Sequence, residues 1–245
     1  MTDRPDIDDL LKSWPYEPGT VSVRRVKADD GRELLQMRIE MGVLQMETRG
    51  RPDGEHPHGY DTYLEWLEDL QIRTPQHVEL TEQQCAEMDR EFLQYYHRRV
   101  CWLALREFAH VVEDADHTLR LMDFAVQHSP SEEWALSHER YRTFVLFHRT
   151  QAAALAQLEQ SRPEAALAEI TAGLGKIRQV FDAVEAEDQF EADQQVKQLV
   201  KLKDWLRREY RIGPSLEEQL ASAVATEEYE LAARLRDQIS RRTRN

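Results

Sequence analysis

The sequence has little cysteine, glycine or proline, and it contains no long apolar run. Two of its 245 residues are cysteines, Cys85 and Cys101, and glycine and proline occur nine times each. An all-cysteine zinc site needs four thiolates, so this chain has too few to build one. Both cysteines lie in helical sequence and are expected to be small buried apolar residues. The few glycines and prolines also disfavour an all-β sandwich.

No stretch of the sequence approaches the about 18 apolar residues of a membrane-spanning helix. Acidic residues outnumber basic ones by 46 to 32, which gives a formal net charge of −14. Such a chain repels a phosphate backbone unless its bases cluster on one face. Nucleic acid is therefore not expected as the main partner, and neither is an anionic membrane. The acidic N-terminus lacks the regions of a signal peptide, so a cytoplasmic location is expected.

Residues 1–58 contain the only strand-like pattern in the chain. Short apolar runs occur over residues 21–26 and 43–46. Asp30 and Gly31 form a turn signal between the first run and the alternating stretch that begins at Leu35. Apolar side chains alternate with polar ones at Leu35, Met37, Ile39 and Met41. This period of two predicts a β-hairpin or meander with one apolar face. A sheet this small is unstable alone, so it is expected to pack on helices.

Residues 59–212 have the periodicity of helices, and we predict a mainly α-helical body. A short helix is predicted over residues 60–72. Thr81 is a predicted N-cap, with Gln84 three residues later, and opens a long helix. Its apolar stripe repeats every seven residues at Met88, Tyr95, Trp102 and Ala109.

Three more helix starts are predicted after residue 128. Ser129, followed by Pro130, and Ser161, followed by Pro163, are typical N-terminal signals. Residues 185–211 place acids first and bases last, the order that complements a helix dipole.

The spacing of some apolar residues resembles that of tetratricopeptide units. The first match runs over Trp102, Leu105, Met122, Ala125 and Pro130, and a partial second one over Ser161, Ala166 and Ile170. The second unit lacks the Trp and the spacing departs from the family's period. A tetratricopeptide-like stack of antiparallel helices and a plain helical bundle are both left open.

Residues 213–245 form a separate helical segment. A Gly-Pro-Ser sequence precedes it, and Ser215 with Glu218 predicts a capping box at its start. The segment then contains the string Tyr-Glu-x-Ala-Ala-x-x-Arg-Asp-x-Ile. It resembles the UVR motif found near the ends of the repair proteins UvrB and UvrC, with similar copies in the ClpC ATPase and in McsA-type arginine kinase activators. The matching residues are Leu216, Leu220, Ala223, Tyr229, Glu230, Ala232, Ala233, Arg236, Asp237 and Ile239.

The resemblance implies a helical hairpin that docks on a protein partner, including another hairpin of its kind. We take the ten matching residues as the predicted partner-binding set. Helices this short are marginal alone, so the hairpin is expected to pack on a partner or on its own chain. Arg236 is either an interface contact or a partner of Glu230 or Asp237. The stretch from Met41 to Gly54 also resembles the N-terminal region of bacterial proteins that end in this motif.

Signals for an enzyme are weak in this sequence. There is no phosphate-binding glycine loop, no Cys-x-x-Cys pair and no nucleophile elbow. Two imidazoles and two carboxylates gather at Glu55, His56, His58 and Asp61, a plausible metal set that is also typical of a surface turn. His148 lies on an apolar stripe and is expected to be a buried structural histidine.

We therefore expect a non-enzymatic adaptor without cofactors, working in DNA repair or protein quality control. Two alternatives belong to other classes. One is a repair accessory factor that touches nucleic acid through the tail residues Arg234, Arg236, Arg241, Arg242 and Arg244. The other is a metal-dependent enzyme that uses the loop from Glu55 to Asp61.

Overall fold

The computed structural model describes residues 6–74 and 79–242, which form mainly helices and one small sheet. The chain divides into two compact units, residues 1–200 and 201–245. Within the described ranges, no helix is long and apolar enough to cross a membrane. The strands are β1 (Val23–Lys27), β2 (Glu33–Ile39) and β3 (Gly42–Glu47). The helices are α1 (Asp8–Ser13), α2 (Tyr63–Arg73), α3 (Glu82–Leu105), α4 (Phe108–His128), α5 (Glu132–Glu139), α6 (Arg142–Glu159), α7 (Pro163–Ala183), α8 (Gln194–Tyr210), α9 (Leu216–Ala225) and α10 (Tyr229–Arg242).

The predicted N-terminal sheet is confirmed as an antiparallel meander in the order β1-β2-β3. Gly31 has a φ of +90°, which suits the turn between β1 and β2. Leu35 and Met37 are buried against α3 and α4, in a cluster that includes Trp102 and Phe108. The prediction that Met41 shares this face was wrong, because Met41 lies between β2 and β3 and is 88% exposed.

Helices α3, α4, α6 and α7 pack on one another in chain order, and α5 packs on α4. The connections are short, which makes neighbouring helices run antiparallel. The tetratricopeptide-like arrangement is not confirmed. The pair α3 and α4 alone occupies residues 82–128, which exceeds the roughly 34 residues of one such unit.

The long predicted helix ends earlier than its apolar stripe indicated. The capping box of Thr81 and Gln84 is present as predicted. However, Arg106 adopts a left-handed conformation with a φ of +60°, and α4 begins two residues later. The new helix buries Phe108 and leaves Ala109 exposed, so Ala109 does not belong to the stripe.

Three predicted helix starts also needed correction. Ser131, rather than Ser129, accepts the capping hydrogen bond, from the backbone N–H of Trp134 at 3.2 Å. Pro163 is the first residue of α7, but Ser161 makes no capping bond and has a φ of +57°. The segment 185–211 is not one helix, because a 3₁₀ turn precedes α8 and Asp193 caps the latter.

A buried carboxylate, Glu91 on α3, joins three parts of the first unit. It accepts hydrogen bonds from the backbone N–H groups of Tyr63 and Leu64, at 2.6 and 3.2 Å, at the start of α2. His117 of α4 contacts it at 2.9 Å, and the guanidinium of Arg51 lies 3.9 Å away. The side chain thus satisfies two otherwise unpaired helix donors and holds α2, α4 and the segment after the sheet on one helix.

A second buried pair lies about two turns further along α3. Arg98 forms a bidentate ion pair with Asp114 of α4, at 2.7 and 3.1 Å. Its remaining nitrogen donates to the carbonyl oxygens of Gly50 and Glu47, at 2.7 and 3.2 Å. The sheet is therefore held by polar contacts as well as by its apolar face.

Replacing Glu91 by Ala should lower the free energy of unfolding by about 3–5 kcal/mol, the range for breaking a buried charge pair. The N–H groups of Tyr63 and Leu64 would lose their acceptor at the same time. Urea denaturation followed by circular dichroism measures the change. Glu191→Ala is the control, because its 3.3 Å pair with Arg178 is exposed and should be worth no more than about 0.5 kcal/mol. Equal effects of the two substitutions would contradict the role of Glu91.

Gly173 on α7 is expected to tolerate no side chain. A Cβ there would overlap the side chain of Thr150 on α6. Gly173→Ala should therefore destabilise the protein by about 1–3 kcal/mol through overpacking. Gly175 has nothing within 4 Å of such a Cβ, so Gly175→Ala should stabilise the helix by about 0.5–1 kcal/mol. Thermal denaturation of both variants checks the opposite signs.

Candidate functional site: the C-terminal helical hairpin

The predicted hairpin is present as α9 and α10, and its start is fixed by the predicted capping box. The backbone N–H of Glu218 donates to the Ser215 hydroxyl at 3.2 Å, and the Glu218 carboxylate accepts from the backbone N–H of Ser215 at 3.0 Å. Two of the unpaired donors at the helix start are thereby satisfied. This motif needs no tertiary contact, which is why the sequence alone located it.

The turn between the helices is closed by backbone geometry. Glu227 has a φ of +59°, and the N–H of Glu228 donates to the carbonyl of Ala223 at 2.7 Å. The left-handed residue reverses the chain just after α9, as in the usual C-cap motifs. Helix α10 follows at Tyr229, so the two helices lie side by side.

Small residues fill the space between α9 and α10. Ala223 of α9 and Ala232 and Leu235 of α10 are buried, and Leu216 and Leu220 pack against them. Alanines at the contact let the two helix axes approach closely. The hairpin thus has an apolar interior of its own. This interior was not predicted, because helices this short were expected to pack on a partner or on the rest of the chain.

Another apolar set remains on the outside of the hairpin. Tyr229 is 68% exposed and Val224 is 53% exposed, and Leu231 and Ala233 are also exposed. Tyr229, Ala233 and Arg236 follow one another at spacings of four and three, so they share one face of α10. This face offers an aromatic ring next to a small residue and a cation. We call Tyr229, Ala233 and Arg236 the outer stripe.

Nine of the ten predicted partner-binding residues therefore separate into two groups. Those in the first group, in the hairpin interior, hold the two helices together. They are Leu216, Leu220, Ala223 and Ala232. The second group is exposed and consists of Tyr229, Glu230, Ala233, Arg236 and Asp237. Ile239 is half-buried.

Charged residues in the second half of α8 contact the start of α9. The carboxylate of Glu218 pairs with Lys203 at 2.6 Å and also with Arg207. Burial alone would raise the pKa of Glu218, but hydrogen bonds from Lys203 and from the Ser215 N–H, with the charge of Arg207, lower it. The carboxylate stays charged, and it ties the capping box to the preceding helix. This link was missed in the sequence, where Lys203 and Arg207 only indicated a helix end.

Arg236 pairs with the neighbouring Asp237 at 3.5 Å, and both side chains are mostly exposed. An exposed pair of this kind contributes little to stability. The charge of Arg236 is therefore available at the surface beside Ala233. Trp205 and Tyr210 of α8 are also exposed, with ring centroids 6.3 Å apart. Their exposure was not predicted, since an apolar residue on a helix ordinarily indicates a buried face.

The loop from Glu55 to Asp61 does not bring its four candidate ligands together. His56 contacts Asp61 at 3.4 Å, but His58 stacks on Trp66, with ring centroids 3.9 Å apart, and Glu55 lies 3.8 Å from Arg90. Over residues 6–74 and 79–242, no three or more His, Cys, Asp or Glu side chains are placed to hold a metal ion. His148 is half-buried beside Phe144, and burial lowers its pKa to about 4, as does the charge of Arg99.

Comparison with known proteins identifies the hairpin. Residues 214–241 match the family model described as the UvrB/uvrC motif. No curated protein and no solved structure matches the chain. The resemblance read from the sequence is confirmed over these residues, so the chain carries a UvrB/uvrC motif whose two helices are α9 and α10.

Proposed function

We propose that the protein is a non-enzymatic adaptor that docks on a protein partner through the outer stripe of its C-terminal hairpin. The observation that carries the proposal is the exposure of Tyr229, at 68%, on a hairpin whose interior is already filled. A UvrB/uvrC motif at these residues is compatible with a role in protein interaction or DNA repair.

The chemistry of the outer stripe suits a protein interface. Tyrosine and arginine are enriched among residues that dominate binding energy, because they bury a large area and also form hydrogen bonds. Ala233 lies one turn from Tyr229 and leaves room for a side chain of the partner. Glu230 and Asp237 lie beside the stripe and supply the opposite charge at its edge.

We further propose that the partner presents a similar hairpin, in another protein or in a second copy of this chain. A surface that carries an apolar centre and both signs of charge can pair with a surface of the same kind. In a two-fold arrangement, Arg236 of one hairpin faces an acid of the other, and the two tyrosines meet the small residues.

The proposal is tested with purified full-length protein, by sedimentation for self-association and by affinity capture followed by titration for other partners. Tyr229→Ser should weaken binding roughly 30-fold, the loss typical of an interface residue worth about 2 kcal/mol. Met41→Ser is the matched control, since Met41 is 88% exposed but lies in the β2–β3 turn. Its binding should equal that of the original protein.

Both substitutions are at the surface, so the free energy of unfolding, measured by thermal denaturation, should change by no more than about 0.5 kcal/mol in either case. If Tyr229→Ser binds and self-associates as the original protein does, the hairpin is not the docking site. If Met41→Ser loses binding equally, the interaction is nonspecific.

The adjacent residues Ala232 and Ala233 provide a sharper test. Ala232 is 8% exposed between the helices, so Ala232→Leu should overpack the hairpin and reduce its helical content, at a cost of about 1–3 kcal/mol. Ala233 is exposed, and leucine is nearly as good a helix former, so Ala233→Leu should leave folding unchanged. It should nevertheless weaken docking, because the added side chain blocks close approach. Circular dichroism and titration separate the two effects, and unimpaired binding by Ala233→Leu would contradict the assigned face.

The nucleic-acid alternative has less support from the described residues. Arg234, Arg236 and Arg241 are exposed on α10 and Arg244 lies outside the described residues, but the whole chain is strongly acidic. Binding to a phosphate backbone would fall steeply with salt, whereas docking through Tyr229 would depend on salt weakly. A salt titration of the captured complex therefore distinguishes the two modes.

A further inference from the structure

The first unit contains a cavity whose lining differs from the rest of the molecule. It measures about 590 Å³ and lies among residues of α3, α6 and the start of α8. This volume is within the range of pockets that bind small molecules. Four aromatic rings line it, those of Phe92, Tyr96, Tyr141 and Phe144.

The charge of this lining is opposite to that of the chain. Two arginines, Arg99 and Arg140, line the cavity, and the lining includes no aspartate or glutamate. The chain as a whole carries 46 acids and a net charge of −14. A cavity that is locally cationic in such a protein attracts anions and excludes cations.

Arg99 is a buried cation that forms no ion pair with the described residues. Arg99 is 1% exposed. Its one hydrogen bond within the described chain goes from the guanidinium to the Thr118 hydroxyl, at 2.8 Å. The Nε–H has no hydrogen-bond partner there, and no carboxylate lies within ion-pair distance. Buried charges are ordinarily paired, because an uncompensated ion is costly to desolvate.

The neighbouring residue, Arg98, shows how a buried arginine of this helix is paired and hydrogen-bonded. Arg98 is equally buried, and it holds Asp114 through two hydrogen bonds and two backbone carbonyls through others. Asp114 is thus already engaged and forms no ion pair with Arg99, although its charge raises the pKa of Arg99 and partly opposes the effect of burial. Burial lowers the pKa of Arg99 to about 10, so its guanidinium stays charged at neutral pH.

A second cation lies at the cavity beside an aromatic ring. The guanidinium of Arg140 lies 4.9 Å from the ring of Tyr141, and both residues are exposed. The cavity therefore combines a buried cation that lacks an ion-pair partner, a second cation and aromatic walls.

We propose that this cavity binds a small planar aromatic anion, with its carboxylate or phosphate on Arg99 and its ring between the aromatic side chains. Hydrogen bonds between a guanidinium and a carboxylate or phosphate are short and strong in a buried site. An apolar ligand would leave Arg99 unpaired, and a cation would be repelled. A polymer such as nucleic acid is also excluded, because a residue 1% exposed is not reached by a bulky backbone.

The first test needs no variant and uses two probes of the same shape. Binding of 2-naphthoate and of the neutral 2-naphthalenemethanol to the full-length protein is measured by calorimetry and by the shift in melting temperature. The naphthoate should bind at least roughly tenfold more tightly, the effect of one charged hydrogen bond. It should also raise the melting temperature, since a ligand that binds only the folded state stabilises it.

Arg99→Met removes the charge while it keeps much of the side-chain volume. In this variant the preference for naphthoate should disappear, and the ligand-free protein should melt at the same or a higher temperature. The matched variant Arg98→Met should melt at a lower temperature, because it leaves Asp114 unpaired.

Three results would overturn the proposal. They are equal affinity of the original protein for the two probes, no binding of either probe, and a preference for naphthoate that persists in Arg99→Met. The comparison of probes on the original protein decides the matter even if the variant does not fold.

Discussion

Glu91 is the residue on which the first unit most depends. A carboxylate with no exposure to solvent is tolerated only where its charge and its hydrogen-bonding capacity are both satisfied. Here the N–H groups at the start of α2, His117 of α4 and the more distant Arg51 meet this need. Each partner comes from a different part of the chain, so the elements have to arrive together. The network thus fixes one arrangement of helices that an apolar core alone would specify less sharply.

The hairpin follows a different principle, since small residues rather than buried charges hold it together. Its interior consists of two alanines and one leucine with flanking leucines, and a capping box fixes its first turn. An interior this small leaves most of the hairpin surface free to vary. Because the fold depends on these few interior residues, the motif can carry an exposed tyrosine without losing its fold.

Most local signals were read correctly from the sequence, apart from the caps at Ser129 and Ser161, whereas the specific contacts between distant elements were not. The capping boxes at Thr81 and Ser215 and the turn at Gly31 depend on residues within a few positions of one another, and the UvrB/uvrC motif occupies one continuous stretch, residues 214–241. The break at Arg106 has no glycine or proline to announce it, and the seven-residue stripe continued in phase across it. Ala232 is buried and Ala233 is exposed because of the face that α10 turns toward α9, and the sequence does not reveal that face. Arg99 and Gln195 come from helices far apart in the chain, so no periodicity could place them at one cavity.

The order of the elements has a consequence for how the chain is made. The sheet is synthesised well before α3 and α4, yet its buried residues Leu35 and Met37 find their cover on Trp102 and Phe108. During translation the apolar face and the two unpaired edge strands of the meander are therefore exposed, and they can associate with other chains until α3 and α4 have been made. Chaperone demand should consequently be greatest while residues 40–110 are emerging from the ribosome, and it should end once the second of these helices has closed over the sheet.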